Sequence, residues 1–174
     1  MLSTEWLLTY IALGLTTIIN IVVPISGSAV VTPLLTLLTD PYRAIGIASF
    51  FFFLGSIVRI YMFRSDIQWD EIRTLFFPSV IAALLGALTV VAIPKQILLL
   101  IILLFSIYFL LKKLNIILRR TSPSRLLNHF VGLLSGFLQG TGLAGSDLRN
   151  QYLYAQNLSL PKVHGTTAFI GAAN

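Results

Sequence analysis

The sequence predicts an all-α integral membrane protein, a polytopic helical bundle built from two related halves with broken or re-entrant helices. Three observations carry this. Hydrophobic residues make up 56% of the 174 and charged residues only 10%, with a mean hydropathy of +0.89. A water-soluble domain carries about 25% charged residues, so this chain lacks the charge to cover itself with a hydrated surface. Several apolar runs are long enough to cross a hydrocarbon core of about 30 Å at about 1.5 Å per residue. One order of elements occurs twice: apolar helix, small-residue break, short segment, proline, then a helix start rich in Ala, Gly and Thr.

The first apolar run covers residues 6–23 and is read as a membrane helix. It lacks the basic start and small-residue cleavage site of a signal peptide, and Glu5 precedes it. It ends at Pro24-Ile25-Ser26-Gly27-Ser28, followed by a short apolar stretch over 29–38 and by Asp40-Pro41. The second long run is 44–63. Its Phe50-Phe51-Phe52-Phe53 suits lipid contact, and Tyr61 and Trp69 suit an interfacial belt. After a polar loop at 64–73 comes the third run, 75–93. There Gly86, Ala82, Ala83 and Ala87 suit close helix packing. Pro94-Lys95 makes a turn into the fourth run, 97–111.

Residues 112–125 form the longest polar connection, with Lys112, Lys113, Arg119, Arg120 and Arg125 and no acid. The formal net charge of +6 comes from 12 Lys+Arg and 6 Asp+Glu. Concentrated in short loops, it reads as a topology signal that puts loops 64–73 and 112–125 in the cytoplasm. A patch for anionic lipid is compatible with it. Too few polar residues remain to make a nucleic-acid face. A fifth run, 126–138, breaks at Gly140-Thr141-Gly142-Leu143-Ala144-Gly145. A more polar stretch, 146–157, then precedes the restart at Pro161. The organisation is therefore a first half over 1–111, a basic cytoplasmic loop over 112–125 and the start of a second half over 126–174. The last apolar run stops short of a span, so a fragment or truncated product is expected.

Broken hydrophobic segments in matching places of two halves point to a secondary transporter. In lipid, unpaired backbone groups are tolerable only beside protein or a water-filled cavity. Free N–H groups at a half-helix start attract anions. The candidate substrate-binding residues are thus Ser26, Gly27 and Ser28 at the first break, and Gly142, Gly145, Ser146, Asp147 and Arg149 at the second. Arg149 either holds an anion through bidentate hydrogen bonds or neutralises Asp147. Thr166 and Thr167 offer hydroxyls at a helix start, or else cap and back-bond it. His164 is a candidate proton relay, or else a structural residue near a proline turn. His129 reads as interfacial.

Catalytic and metal-binding classes are disfavoured. With no cysteine there is no thiol chemistry or Cys-ligated metal. The two histidines have no metal-ligand spacing with acids, and neither a nucleophile elbow nor a phosphate-binding loop is present. No enzyme activity, cofactor or metal is expected.

Ser26-Gly27-Ser28 with Val31-Thr32-Pro33-Leu34-Leu35, the stretch Gly132-Leu133-Leu134-Ser135-Gly136-Phe137-Leu138-Gln139-Gly140 followed by Gly142 and Gly145, and His164-Gly165-Thr166-Thr167-Ala168 together resemble the sulfite exporter TauE/SafE family of membrane permeases. The chain departs from that pattern at Asp147, Arg149, Asn150 and Gln151, where the family is usually apolar with a proline. It is also shorter than the family's usual length. The resemblance implies a plasma-membrane (in bacteria, inner-membrane) permease for small anions such as sulfite, sulfonates or related sulfur and organic anions. Its partners would be the lipid bilayer, the anion and coupled protons, with room for a homo-oligomer. The alternative is a non-transporting accessory or assembly subunit of a membrane complex.

Overall fold

A computed structural model describes Gly14 and residues 27–114 and 124–174. Apart from Gly14, the expected first span at 6–23 lies outside the described residues, as do Ser26 and most of the basic loop 112–125. Among the described residues the chain is helical, without strands. In order these are α1 (Gly27–Leu38), α2 (Pro41–Met62), a 3-10 turn (Arg64–Asp66), α3 (Trp69–Ala92), α4 (Lys95–Leu114), α5 (Arg125–Gly140), α6 (Gly145–Ala155) and α7 (Leu160–Ala173).

Local chemistry explains the boundaries. Asp40 caps α2: its Oδ1 accepts the Tyr42 N–H at 3.0 Å, and Pro41 occupies the first turn, where no amide donor is needed. The third helix starts earlier than apolar patterning alone predicts. Asp70 and Glu71 lie in its first turn, where the helix dipole favours acids, so part of the polar loop expected over 64–73 is helical. Ser124 caps α5 by accepting the Leu127 N–H at 3.2 Å. The polar stretch after the second break folds as α6.

α2 and α3 are each long and apolar enough to cross a bilayer, and only 17% and 33% of their apolar windows are buried. A helix at the core of a soluble protein would show the reverse. Phe50, Phe53 and Ile57 on α2 and Phe77, Leu84 and Leu88 on α3 face outward. Such a broad apolar exterior needs lipid or another apolar cover.

Inside, the closest pairing is α3 with α5. It depends on small residues at four-residue spacing. A Cβ added to Gly136 would lie 2.0 Å from the Ser79 carbonyl oxygen, and one on Gly140 would lie 2.0 Å from that of Ala83. A Cβ on Gly86 would lie 2.3 Å from the Phe137 carbonyl oxygen. Backbone touches backbone here, as in small-residue membrane packing. Ala82, Ala83 and Gly86 are buried in this seam, whereas Ala87 is exposed. Contacts advance together along both helices (Gly132 with Leu75, Gly136 with Ser79, Gly140 with Ala83), so α5 runs parallel to α3.

The chain then folds back. Gly142 has φ +77°, its N–H bonds the Gln139 carbonyl at 3.0 Å, and the Leu143 N–H bonds the Leu138 carbonyl at 2.8 Å. This is a Schellman closure, and the left-handed conformation is what glycine permits there. α6 returns along α5: Gly145 packs on Ser135 and Gln139, and further on the Tyr152 hydroxyl donates to Asn128 Oδ1. Asn128 Nδ2 in turn donates to Glu71 Oε2 at 2.9 Å and Thr74 Oγ1 at 2.8 Å, tying α3, α5 and α6 together at the Trp69 end. α7 starts at that same end. It runs from Gly165, against Phe63 and Ile67, to Asn174, against Ser79 near the middle of α3.

Candidate functional site

The α3–α5 seam, the fold-back and the end of α7 meet around one side chain. Arg149, on α6, is fully buried at 0% exposure. Its Nη1–H donates to Ser79 Oγ on α3 at 3.0 Å, and its Nη2–H donates to Gln139 Oε1 on α5 at 2.6 Å. Its Nε–H has no partner among the described residues. A guanidinium has five N–H donors and stays charged. Among the described residues no carboxylate lies within 4.0 Å of it; the ion pairs there are Arg73–Asp70 and Lys95–Asp40. Asp147, two residues earlier, is buried in the first turn of α6, where the helix dipole favours an acid, and no ion pair joins it to Arg149.

A second cation bonds a hydroxyl that borders the same place. Arg59, on α2, donates through Nη2 to Ser56 Oγ at 3.2 Å and through Nε to its own helix at the Gly55 carbonyl, 3.3 Å. Gly171 on α7 lies between Arg149 and Ser56, the residue that Arg59 bonds. A Cβ built there would lie 3.6 Å from Gln139 Nε2, 3.7 Å from Arg149 Nη2 and 3.7 Å from Ser56 Oγ. The missing side chain thus leaves a notch bordered by polar groups from α2, α5 and α6.

The notch is rich in donors. Ser79 Oγ accepts from both Arg149 and Asn174 Nδ2, at 3.0 and 2.7 Å, so its own hydroxyl hydrogen is free to point elsewhere. Gln139 Oε1 likewise accepts from Arg149 and Asn174, at 2.6 and 3.3 Å, while its Nε2 donates to the Gly171 carbonyl at 3.3 Å. The Arg149 guanidinium, two hydroxyls and the Gln139 amide border the notch, and among the described residues no carboxylate lies within 4.0 Å of Arg149. Burying a charge without a counter-charge costs several kcal/mol.

The other residues singled out by sequence fall into three positions. Gly142, Gly145 and half-buried Ser146 belong to the fold-back, where the amides of Thr141, Gly142, Leu143, Gly145 and Asp147 are all hydrogen-bonded at 2.7–3.1 Å. Of the amides from Thr141 to Asp147, those of Ala144 and Ser146 are not in this set of bonds. Thr166 Oγ1 accepts the Gln68 N–H at 3.0 Å and holds the entry to α3; Thr167 Oγ1 back-bonds to the Val163 carbonyl at 2.7 Å. Thr167 thus back-bonds within its own helix, while Thr166 ties α7 to the start of α3. His164 is 2% exposed and stacks on Phe63 with ring centroids 5.8 Å apart and planes 28° apart. Both of its ring nitrogens lack hydrogen-bond partners among the described residues. Leaving one buried polar atom unpaired costs about 1–3 kcal/mol. Gly27 and Ser28 open α1. His129 is exposed, with its Nδ1 2.6 Å from the Arg125 carbonyl oxygen.

Arg59, Ser56, Ser79, Gln139, Gly171 and Asn174 were not legible as site residues. The available signal was Arg59 itself, a cation inside an otherwise apolar run.

A sequence profile of the family described as "Sulfite exporter TauE/SafE" matches residues 9–174. The chain belongs to the TauE/SafE family. No curated protein and no solved structure matches it. Membership makes this TauE/SafE chain a transmembrane transport protein, in agreement with its two apolar, outward-facing long helices.

Proposed function

We propose that the chain is a multi-pass plasma-membrane permease for small oxyanions of the sulfite and sulfonate class, which bind in the notch beside Arg149. The observation that carries this is Arg149: fully buried, unpaired with any described acid, and bordering the space at Gly171 together with Ser56, which Arg59 bonds. An oxyanion presents several acceptor oxygens to planar guanidinium donors, the pairing for which arginine is best shaped. The fold-back of α5 onto α6 acts as a re-entrant hairpin and brings polar side chains to membrane depth, where lipid-exposed backbone would be untenable.

Several features support the multi-pass topology. α2 and α3 cross as a hairpin. Arg64, Arg73 and Arg125 share the end at which α5 begins beside Glu71, which is the cytoplasmic side under the basic-loop bias. Pro41 and Pro161 each open a helix that follows a short one, the pattern expected of two related halves. Cysteines placed at Ser65 and Ser122 should resist a membrane-impermeant thiol reagent in intact cells. Labelling of both from outside would overturn this orientation.

The anion site is tested by titrating sulfite, sulfate and methanesulfonate into the purified protein. Arg149→Gln should weaken binding about 100-fold, the loss of two charged hydrogen bonds at about 1.5 kcal/mol each. Arg149→Lys should recover only part, because an ammonium lacks the planar fork. Gly171→Ala adds a methyl at ordinary contact distances. It should leave folding intact and lower affinity about tenfold by occupying the notch. Unchanged affinity in both Arg149→Gln and Gly171→Ala removes the notch from the binding site.

A further inference from the structure

A second polar cluster lies outside the notch, where α3, α5 and α6 meet at the Trp69 end. Asn128, on α5, is buried at its centre. Its Nδ2 donates to Glu71 Oε2 at 2.9 Å and to Thr74 Oγ1 at 2.8 Å, both on α3, and its Oδ1 accepts from the Tyr152 hydroxyl on α6. The proton order is fixed. Thr74 Oγ1 donates to the Glu71 carbonyl at 3.0 Å, so toward Asn128 it can only accept, and an ionised carboxylate has acceptors alone. The amide nitrogen therefore faces α3, the amide oxygen faces α6, and Tyr152 must donate.

The cluster and the notch stand on the same two helices. Ser79 and Gln139, the acceptors of Arg149, belong to α3 and α5, as do Glu71, Thr74 and Asn128. On α6, Gly145, Arg149 and Tyr152 share one face. Gly145 sits against the Ser135 carbonyl, and Asp147 is engaged in the same first turn. Tyr152 holds the other end. Arg149 lies between, about 6 Å beyond Gly145 and about 4.5 Å short of Tyr152 at about 1.5 Å per residue. A swing of the outer end by about 1 Å around Gly145 would carry the Arg149 backbone about 0.6 Å. A binding constellation tolerates about 0.5 Å.

Resting on the proposed anion site, we infer that the hydrogen-bond chain Glu71–Asn128–Tyr152 positions that site: it fixes α6 at its outer end, sets where Arg149 stands against Ser79 and Gln139, and so governs anion affinity without touching the anion. All three are positioning residues. Breaking the chain leaves every donor of the notch in place and loosens only their alignment. Glu71 acts here as an acceptor that orients an amide, a task an uncharged amide oxygen at the same position also performs.

Tyr152→Phe removes one hydroxyl and keeps the packed ring, so it breaks the chain at its α6 end alone. Titration of sulfate and methanesulfonate should show affinity weakened about tenfold, a misplacement of somewhat under 1 Å. In an Arg149→Gln background the same change should alter affinity less than about twofold, because the group it aligns is gone. Glu71→Leu should weaken binding about threefold, and Glu71→Gln should restore it, since its amide oxygen accepts from Asn128. Native affinity in Tyr152→Phe overturns this inference and leaves the anion site standing. So does an equal loss with and without Arg149, which marks general loosening of the fold. Should Tyr152→Phe fail to fold, the Glu71 pair decides: equal affinities in Glu71→Leu and Glu71→Gln overturn the inference. No binding of sulfate or methanesulfonate by the native chain overturns the anion site and this inference with it.

Discussion

α2 and α7 begin alike and end in different surroundings. Each has a proline in its first turn, preceded by a polar capping residue, Asp40 or Ser159. On α2 the buried residues are Pro41, Ala44, Ala48, Gly55 and Ser56, and its flanks carry exposed Phe50, Phe53 and Ile57. On α7 every residue from Val163 to Ala168 is buried, including a histidine and two threonines. One helix lies at the rim with a lipid face; the other is packed among α2, α3 and α6. The same local start therefore serves two ends. At the rim polar groups remain at helix ends or lie near Arg59, whereas at the centre they must be paired or used.

Glycine substitutions should separate the two helices most sharply. Gly165→Val on α7 forces a Cβ to within 2.8 Å of the Phe63 carbonyl oxygen and 3.2 Å of Ile67. It should cost about 3 kcal/mol or prevent folding, as overpacking does. Gly46→Val on α2 meets nothing within 4 Å and should cost less than about 0.5 kcal/mol. Equal losses in a detergent unfolding titration would break the rim-and-centre distinction.

Thr166→Val should cost about 1 kcal/mol by removing the acceptor of the Gln68 N–H, while leaving anion affinity unchanged. A fall in affinity with stability intact would move Thr166 from helix geometry into the site.

The smallest effect belongs to the rim. The Lys95 side chain bonds Asp40 and, with the Tyr42 N–H, holds its carboxyl below the usual carboxylate range. A depressed folded value means that this contribution is present above the ordinary carboxylate range and is lost as pH falls through the folded value. Native stability should therefore decline slightly on acidification, and Asp40→Asn should remove that part of the slope. The Tyr42 hydroxyl, which donates to the Ile93 carbonyl at 2.6 Å, still joins the same two turns, so the helices should stay in place.

The sequence by itself determined the solvent and most of the helices, because composition and run length respond to lipid directly. The aromatic run from Phe50 to Phe53, the small residues at Ala82, Ala83 and Gly86, and the two proline restarts are local signals, readable without neighbours. Arg149 was legible for the same reason, as a charge beside a break in an apolar chain. Its partners were not. Ser79, Gln139 and Gly171 are ordinary residues in their own helices, and they become neighbours of Arg149 only because Gly136, Gly140 and Gly145 let backbones approach closely. The amides at the second break looked free in sequence, yet the Schellman closure engages several of them, and that bond pattern depends on how the turn closes. Convergence across helices is set by packing at distances no single segment encodes, so tertiary structure alone decided which donors lie beside Arg149 and which hydroxyls bond backbone groups.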